Sequence, residues 1–186
     1  MRVYFLDSEY IVQEYCFTEG KNWYPGEIGK LKAKASPLSR LGAVVYRGGE
    51  SEGLHIRVYY QGEWVCPRSA MYLLKRLEAH DSHVIGELCN DGYWHTGELH
   101  IKDAVEGTGI AAVTYAAQGF RQIRVYYQTF EELYLKEYCH NNKGWFPGEY
   151  LSLACIPSFM PLSLFFNRPI RPRKGTTWNY DSCSRL

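Results

Sequence analysis

Apolar and polar positions alternate with a period of two along most of this chain, the pattern of half-buried β-strands. It predicts strands over 2–5, 11–17 and 23–27, parted by polar turns, then a basic, polar connector over 30–39. An apolar strand over 41–46 and a turn over 48–53 lead to a strand over 56–61. Between 62 and 82 the alternation lapses; Leu73, Leu74 and Leu77 fall on one face of a helical wheel and predict a short helix over 71–77. Strands resume over 84–89, 94–98, 110–115, 123–128, 133–139 and 145–149. Residues 156–186, rich in Pro, Arg and Ser, show no period and are expected to be irregular.

The strands repeat. Ile56-Arg57-Val58-Tyr59-Tyr60-Gln61 returns unchanged as Ile123-Arg124-Val125-Tyr126-Tyr127-Gln128, and Arg2-Val3-Tyr4 opens a third copy. Glu-x-Cys follows at Glu14, Glu87 and Glu137, and Trp-x-x-Gly-Glu at Trp23, Trp94 and Trp145. From arginine to glutamate is 12 residues in the first unit, 13 in the third and 30 in the second, so the second unit carries an insertion. A period near 50 with four short strands per unit is the signature of β-propeller blades. The expectation is an all-β fold of about three blades (about 1–39, 40–107 and 108–151, with the insertion at 62–82), followed by an irregular tail over 152–186. The expected order in a blade is a small inner strand, the Arg strand, the Glu-Cys strand and an outer Trp strand. The first unit lacks the inner one.

Composition adds little to the fold but excludes some functions. A formal net charge of +1 argues against nucleic acid and anionic membrane as partners. The longest mostly apolar stretch is broken by Pro157 and Pro161, so no membrane insertion is expected. No signal peptide is recognised, which points to a cytoplasmic or non-classically secreted protein. Cys16, Cys89 and Cys139 share one repeat position and read as small buried thiols, with disulfides the minority reading. No metal-ligand spacing, nucleotide loop or catalytic Ser or Cys motif is found, so no cofactor, metal or catalytic residue is assigned.

The recurring chemistry is the arginine and the glutamate. A hairpin places Glu14 beside Arg2 and Glu137 beside Arg124, and the plain reading is a cross-strand ion pair. Burying three such pairs is costly unless every donor and acceptor is satisfied, which a ligand's hydroxyls would do. A guanidinium donates to sugar oxygens, a carboxylate accepts from adjacent hydroxyls, and an aromatic ring covers the apolar face. The three tryptophans are candidates for that ring; packing between blades is an equally good account of each.

In these motifs, over about residues 2–61 and 83–150, the chain resembles the fungal fucose-specific lectins, the Aleuria-type six-bladed β-propellers. The resemblance implies a non-catalytic lectin for fucosylated glycans, with fucose held between adjacent blades. It implies one pocket made by Arg57, Glu87, the backbone of Glu98, His140 and Trp145. A second would use Arg2, Glu14, the backbone of Glu27, Asn90 and Trp94. Arg124 and Glu137 would form a half-site that no fourth blade closes. Where the family has Trp or Tyr after the cysteine, this chain has Phe17, Asn90 and His140. With His140 there, the Arg57 pocket is expected to be the better one, although the insertion between Arg57 and Glu87 counts against it.

Either a homodimer closes a six-blade ring or the chain is an incomplete gene product; the favoured expectation is the second, with the 62–82 segment a retained intron and the tail a read-through. Two other functions stay open. A sialidase-like glycosidase is disfavoured because the Ser-x-Asp-x-Gly-x-Thr-Trp box is matched only at its end, by Gly175-Thr176-Thr177-Trp178. The other is a protein-binding propeller without sugar sites.

Overall fold

A computed structural model describes residues 1–48, 53–62, 84–117, 120–130, 134–141 and 143–151. The insertion beyond Gly62, the helix expected over 71–77 and the tail lie outside these residues. The described residues form eleven β-strands in three antiparallel sheets, with no α-helix among them. The first sheet is β1 (Arg2–Leu6), β2 (Val12–Cys16) and β3 (Tyr24–Pro25), in that order. The second runs β4 (Leu41–Arg47), β5 (Leu54–Gln61), β6 (Ile85–Asn90) and β7 (Trp94–Ile101). The third runs β8 (Ala111–Ala117), β9 (Phe120–Gln128), β10 (Leu135–Asn141) and β11 (Gly144–Leu151). Neighbours in space are neighbours in sequence, the up-and-down order of a propeller blade.

The register is the same in all three sheets. Arg2 faces Cys16 and Tyr4 faces Glu14; Arg57 faces Cys89 and Tyr59 faces Glu87; Arg124 faces Cys139 and Tyr126 faces Glu137. The insertion therefore leaves the β5–β6 ladder intact. Gly62 N–H donates to Val84 O at 2.8 Å, so the chain leaves the ladder and rejoins it at adjacent points. An insertion whose two ends meet in this way costs little, because loop-closure entropy grows only logarithmically with length.

The apolar core lies between the sheets. Val12, Ile28, Ile56, Val58, Leu88 and Trp94 fill the space between the first and second. Val44, Tyr59, Ile85, Leu99, Ile110, Ile123 and Tyr127 fill that between the second and third. This is why Arg57-Val58-Tyr59-Tyr60 alternates so weakly in hydrophobicity: β5 lies in the middle sheet and is packed on both faces. The first sheet shows its outward face, where Val3, Tyr15, Phe17 and Trp23 stay exposed. The inner strands β4 and β8 pack together, and Gly42 makes this possible: a Cβ there would lie 3.1 Å from Ile110 O.

The connector read as polar and basic is partly buried. It holds a short 3-10 turn at Ile28–Leu31, and Ala35 and Ser36 are enclosed. Ser36 N–H donates to Gln61 O and Ser39 Oγ accepts from Gln61 N–H. The next connector repeats the device, with Val105 N–H on Gln128 O and Thr108 Oγ1 accepting from Gln128 N–H. The glutamine that ends each Ile-Arg-Val-Tyr-Tyr-Gln is thus the place where the inter-blade connector docks. The Gln61 side chain reaches on to the second connector, donating to Val105 O at 2.9 Å and accepting from Gly107 N–H at 2.8 Å.

Candidate functional site

Strand alternation puts Arg57 and Tyr59 on one face of β5, and the ladder brings Glu87 opposite Tyr59. Tyr59 Oη donates to Glu87 Oε1 at 3.2 Å, and Arg57 Nε lies 3.7 Å from the same oxygen. The other units repeat the cluster. Tyr4 Oη donates to Glu14 at 3.2 Å and Tyr126 Oη to Glu137 at 2.8 Å. Arg2 Nη1 sits 2.5 Å from Glu14, and Arg124 Nε 3.6 Å from Glu137. The clamp is therefore Arg, Tyr and Glu rather than Arg and Glu alone. Sequence reasoning passed over the tyrosine, although its place two residues after every arginine put it on the arginine's face.

The glycine of Trp-x-x-Gly has a steric cause. A Cβ on Gly97 would come 2.2 Å from Glu87 Oε2 and 2.7 Å from Cys89 Sγ. On Gly26 it would come 1.9 Å from Glu14 Oε2, and on Gly148 2.8 Å from Glu137 Oε2. Each carboxylate lies across the neighbouring strand in the space that a side chain would take. In the second and third sheets the strand bulges there: the pairing shifts between Gly86 and Leu88, and between Lys136 and Tyr138, with the glutamate in the gap. A bulge frees backbone groups and re-aims a side chain.

Burial pushes the Glu87 carboxyl above its usual range, against the opposing pull of Arg57 and its hydrogen bonds. Burial likewise pushes the Tyr4, Tyr59 and Tyr126 hydroxyls and the Cys89 thiol well up, so all four stay protonated donors. Cys16, Cys89 and Cys139 are buried free thiols.

Arg57, Glu87, Glu98, His140 and Trp145 line one cleft of about 270 Å³ between the second and third sheets. Trp145 stands edge-on to Tyr59 (centroids 6.2 Å apart) and to His140 (5.0 Å). It thus packs the two blades together and walls the cleft at once. His140 is held neutral: burial and the positive charge of Arg57 both lower its pKa. Its Nδ1 is buried with no hydrogen-bond partner.

Between the first and second sheets, Trp94 is buried and edge-on to Tyr4 at 6.1 Å. Glu14 is 2% exposed and its Oε2 has no hydrogen-bond partner. Glu27 is turned to solvent and pairs with Lys30. Asn90 Oδ1 is engaged in its own turn, accepting from Gly92 N–H at 3.2 Å. In the third unit Arg124 is 6% exposed, lies under the Tyr115 ring at 5.4 Å and donates to Ile123 O at 2.9 Å.

The cleft between the second and third sheets also contains a residue that no repeat foretold. Asp91 bonds both terminal nitrogens of Arg57, at 2.7 and 3.0 Å. His55 Nδ1 stands 2.5 Å from Asp91 Oδ1 and His95 Nε2 3.8 Å from Oδ2, while Tyr46 stacks on His55. Burial raises the Asp91 pKa, but the bonds from Arg57 and His55 outweigh it and hold the carboxyl below its usual range. The equivalent positions are Thr18 and Asn141, so no recurring signal marked it.

The family model described as fungal fucose-specific lectin matches residues 1–161. A fucose-specific lectin of Aleuria aurantia is 30% identical over 154 residues, which are 83% of this chain and 42% of that protein. The crystal structure of Aleuria aurantia lectin, described as a six-bladed β-propeller with a novel fucose recognition mode, superposes with a TM-score of 0.63 at 27% identity. The match covers 82% of this chain and 43% of that one. A fucose lectin from Kordia zhangzhouensis, solved with methyl-fucoside, superposes with a TM-score of 0.59 at 27% identity, over 80% of this chain and 89% of that one. The chain thus spans about two-fifths of the curated relative's length, and its three sheets are part of a β-propeller.

Proposed function

This chain belongs to the fungal fucose-specific lectin family, and from that premise we propose that it binds the L-fucose of fucosylated glycans, without turnover, in the pockets between consecutive sheets. The observation that carries this reading is the Arg–Tyr–Glu cluster, built three times at one register and set against a tryptophan of the next sheet at Trp94 and Trp145. A buried carboxylate with an unpartnered oxygen, as at Glu14, is a costly group that a ligand hydroxyl would satisfy. The guanidinium beside it donates to the acceptor oxygens of the same sugar, and the indole and imidazole edges offer an apolar wall. In this reading the first pocket uses Arg2, Tyr4, Glu14, the backbone of Glu27, Asn90 and Trp94. The second uses Arg57, Tyr59, Glu87, the backbone of Glu98, His140 and Trp145. Arg124, Tyr126 and Glu137 form the half-site.

Chromatography on immobilised L-fucose tests the proposal. Retention that free fucose reverses is expected; passage in the void overturns it. A chromogenic fucoside left uncleaved by the same sample separates a lectin from a hydrolase. The solution mass, read against the 21.6 kDa of one chain, shows whether two copies associate to complete a ring.

A further inference from the structure

The two pockets are not chemically equal. In the second, Arg57 Nη1 spends both its hydrogens within the protein, on Ile56 O at 3.0 Å and on Asp91 Oδ1 at 2.7 Å. Nη2 gives one to Asp91 Oδ2 at 3.0 Å. This is the two-pronged carboxylate grip for which a guanidinium is shaped. Asp91 reaches it because Ile56 faces Asn90 in the ladder, so the next residue, first in a tight hairpin, lies just beyond the arginine's end of the strand. His55 and His95 flank the same carboxylate.

The other arginines are held differently. The terminal nitrogens of Arg124 meet one side-chain oxygen, the amide oxygen of Gln122, at 3.4 Å from each, and otherwise backbone carbonyls, while its Nε faces Glu137. Arg2 gives Nη1 to Glu14 and keeps a side chain that is 38% exposed. Thr18, at the position of Asp91, turns its hydroxyl to Tyr24.

Resting on the lectin reading, we propose that Asp91 is an internal competitor in the second pocket: its carboxylate occupies the guanidinium fork that a saccharide's neighbouring oxygens need. Sugar enters there only by displacing Asp91 from Arg57, while in the first pocket the described residues set only the motif's own Glu14 on the arginine, and that pocket is the tighter of the two. Asp91 also sets specificity. With Glu87 and Glu98 it lines the cleft with three carboxylates against one arginine, so an acidic saccharide is rejected and a neutral one admitted.

Displacing a charge-assisted bond of a partly exposed pair corresponds to roughly a tenfold change in affinity. The test is calorimetric titration with methyl α-L-fucoside of three proteins: Arg2→Ala, which isolates the second pocket; Arg2→Ala with Asp91→Ala; and Arg57→Ala, which isolates the first. The second protein is expected to bind about tenfold more tightly than the first protein. Adding Arg57→Ala to it should abolish the gain, since the gain runs through the freed fork. Unchanged or weaker binding on loss of Asp91 overturns the proposal, and weaker binding would make Asp91 a holder of the arginine instead. Asp91→Asn, which keeps the turn, should move affinity in the same direction and guards against a folding defect, checked by thermal unfolding. Binding by Arg57→Ala with no gain from Asp91→Ala sinks the competitor alone. Absence of binding in every protein sinks the lectin reading with it.

Discussion

Gly97 offers the sharpest test of how the second pocket is built, because it touches no ligand in the proposed function. A methyl group added there would sit 2.2 Å from Glu87 Oε2 and 2.7 Å from Cys89 Sγ, against the 3.4 Å or more of ordinary contact. The carboxylate must therefore retreat by about 1 Å, the shortfall from that contact distance, and a clamp displaced by that much is too loose to work. Glu87 is the far end of a flexible side chain, so the fold should lose only about 1 kcal/mol, the low end for overpacking. Gly86, one residue before Glu87, is the control. A Cβ there meets Tyr60 at 3.4 Å, ordinary contact, and Gly→Ala in such a site is neutral or stabilising by up to about 1 kcal/mol. In an Arg2→Ala background, fucoside titration of Gly97→Ala should show affinity down at least about tenfold, with urea unfolding little changed. Gly86→Ala should bind as its parent does. Parental affinity in Gly97→Ala would refute the idea that the glycine exists to seat the carboxylate.

Other perturbations bear on the same architecture. Because burial raises the Glu87 pKa, the folded state holds that proton more tightly than the unfolded one; the group's contribution is present in acid and lost as pH rises through its folded pKa. Glu87→Gln should therefore raise the melting temperature at pH 7 and lose most of that advantage at pH 4, while weakening fucoside binding in the second pocket. Gln61→Leu strips the partners of Val105 O and Gly107 N–H and should destabilise by about 1–3 kcal/mol in urea without changing pocket chemistry. Trp145→Ala removes the edge contacts to Tyr59 and His140 together with packing between two sheets, so stability should fall by about 3 kcal/mol and second-pocket binding should be lost. A variant that binds fully would make Trp145 purely a packing residue.

Much of this protein was legible from local pattern. Period-two alternation gives the strands. A hairpin of fixed length carries Glu14 or Glu137 back beside its arginine, and the identical hexapeptides take the same ladder register. Even the insertion left the register alone, because chain that leaves and rejoins one ladder at adjacent points exerts no leverage on it. What the pattern left out depends on distances between residues that repeat in no common frame. The tyrosine hydroxyls reach the carboxylates only because the ladder places Tyr59 opposite Glu87. The motif glycines are explained only by a carboxylate lying across the adjacent strand, and the terminal glutamines only by connectors folding over them.

Trp94 and Trp145, where packing and sugar contact stood as alternatives, stand between sheets, and Trp145 also walls the cleft. The sequence by itself determined the strands, their repeat and the meeting of arginine with glutamate, since each follows from backbone geometry over a dozen residues. Tertiary structure decided which arginine gives both terminal nitrogens to a second carboxylate. Asp91 belongs to one turn of one sheet, and only the packed cleft, with His55 and His95 beside it, shows where its charge is directed.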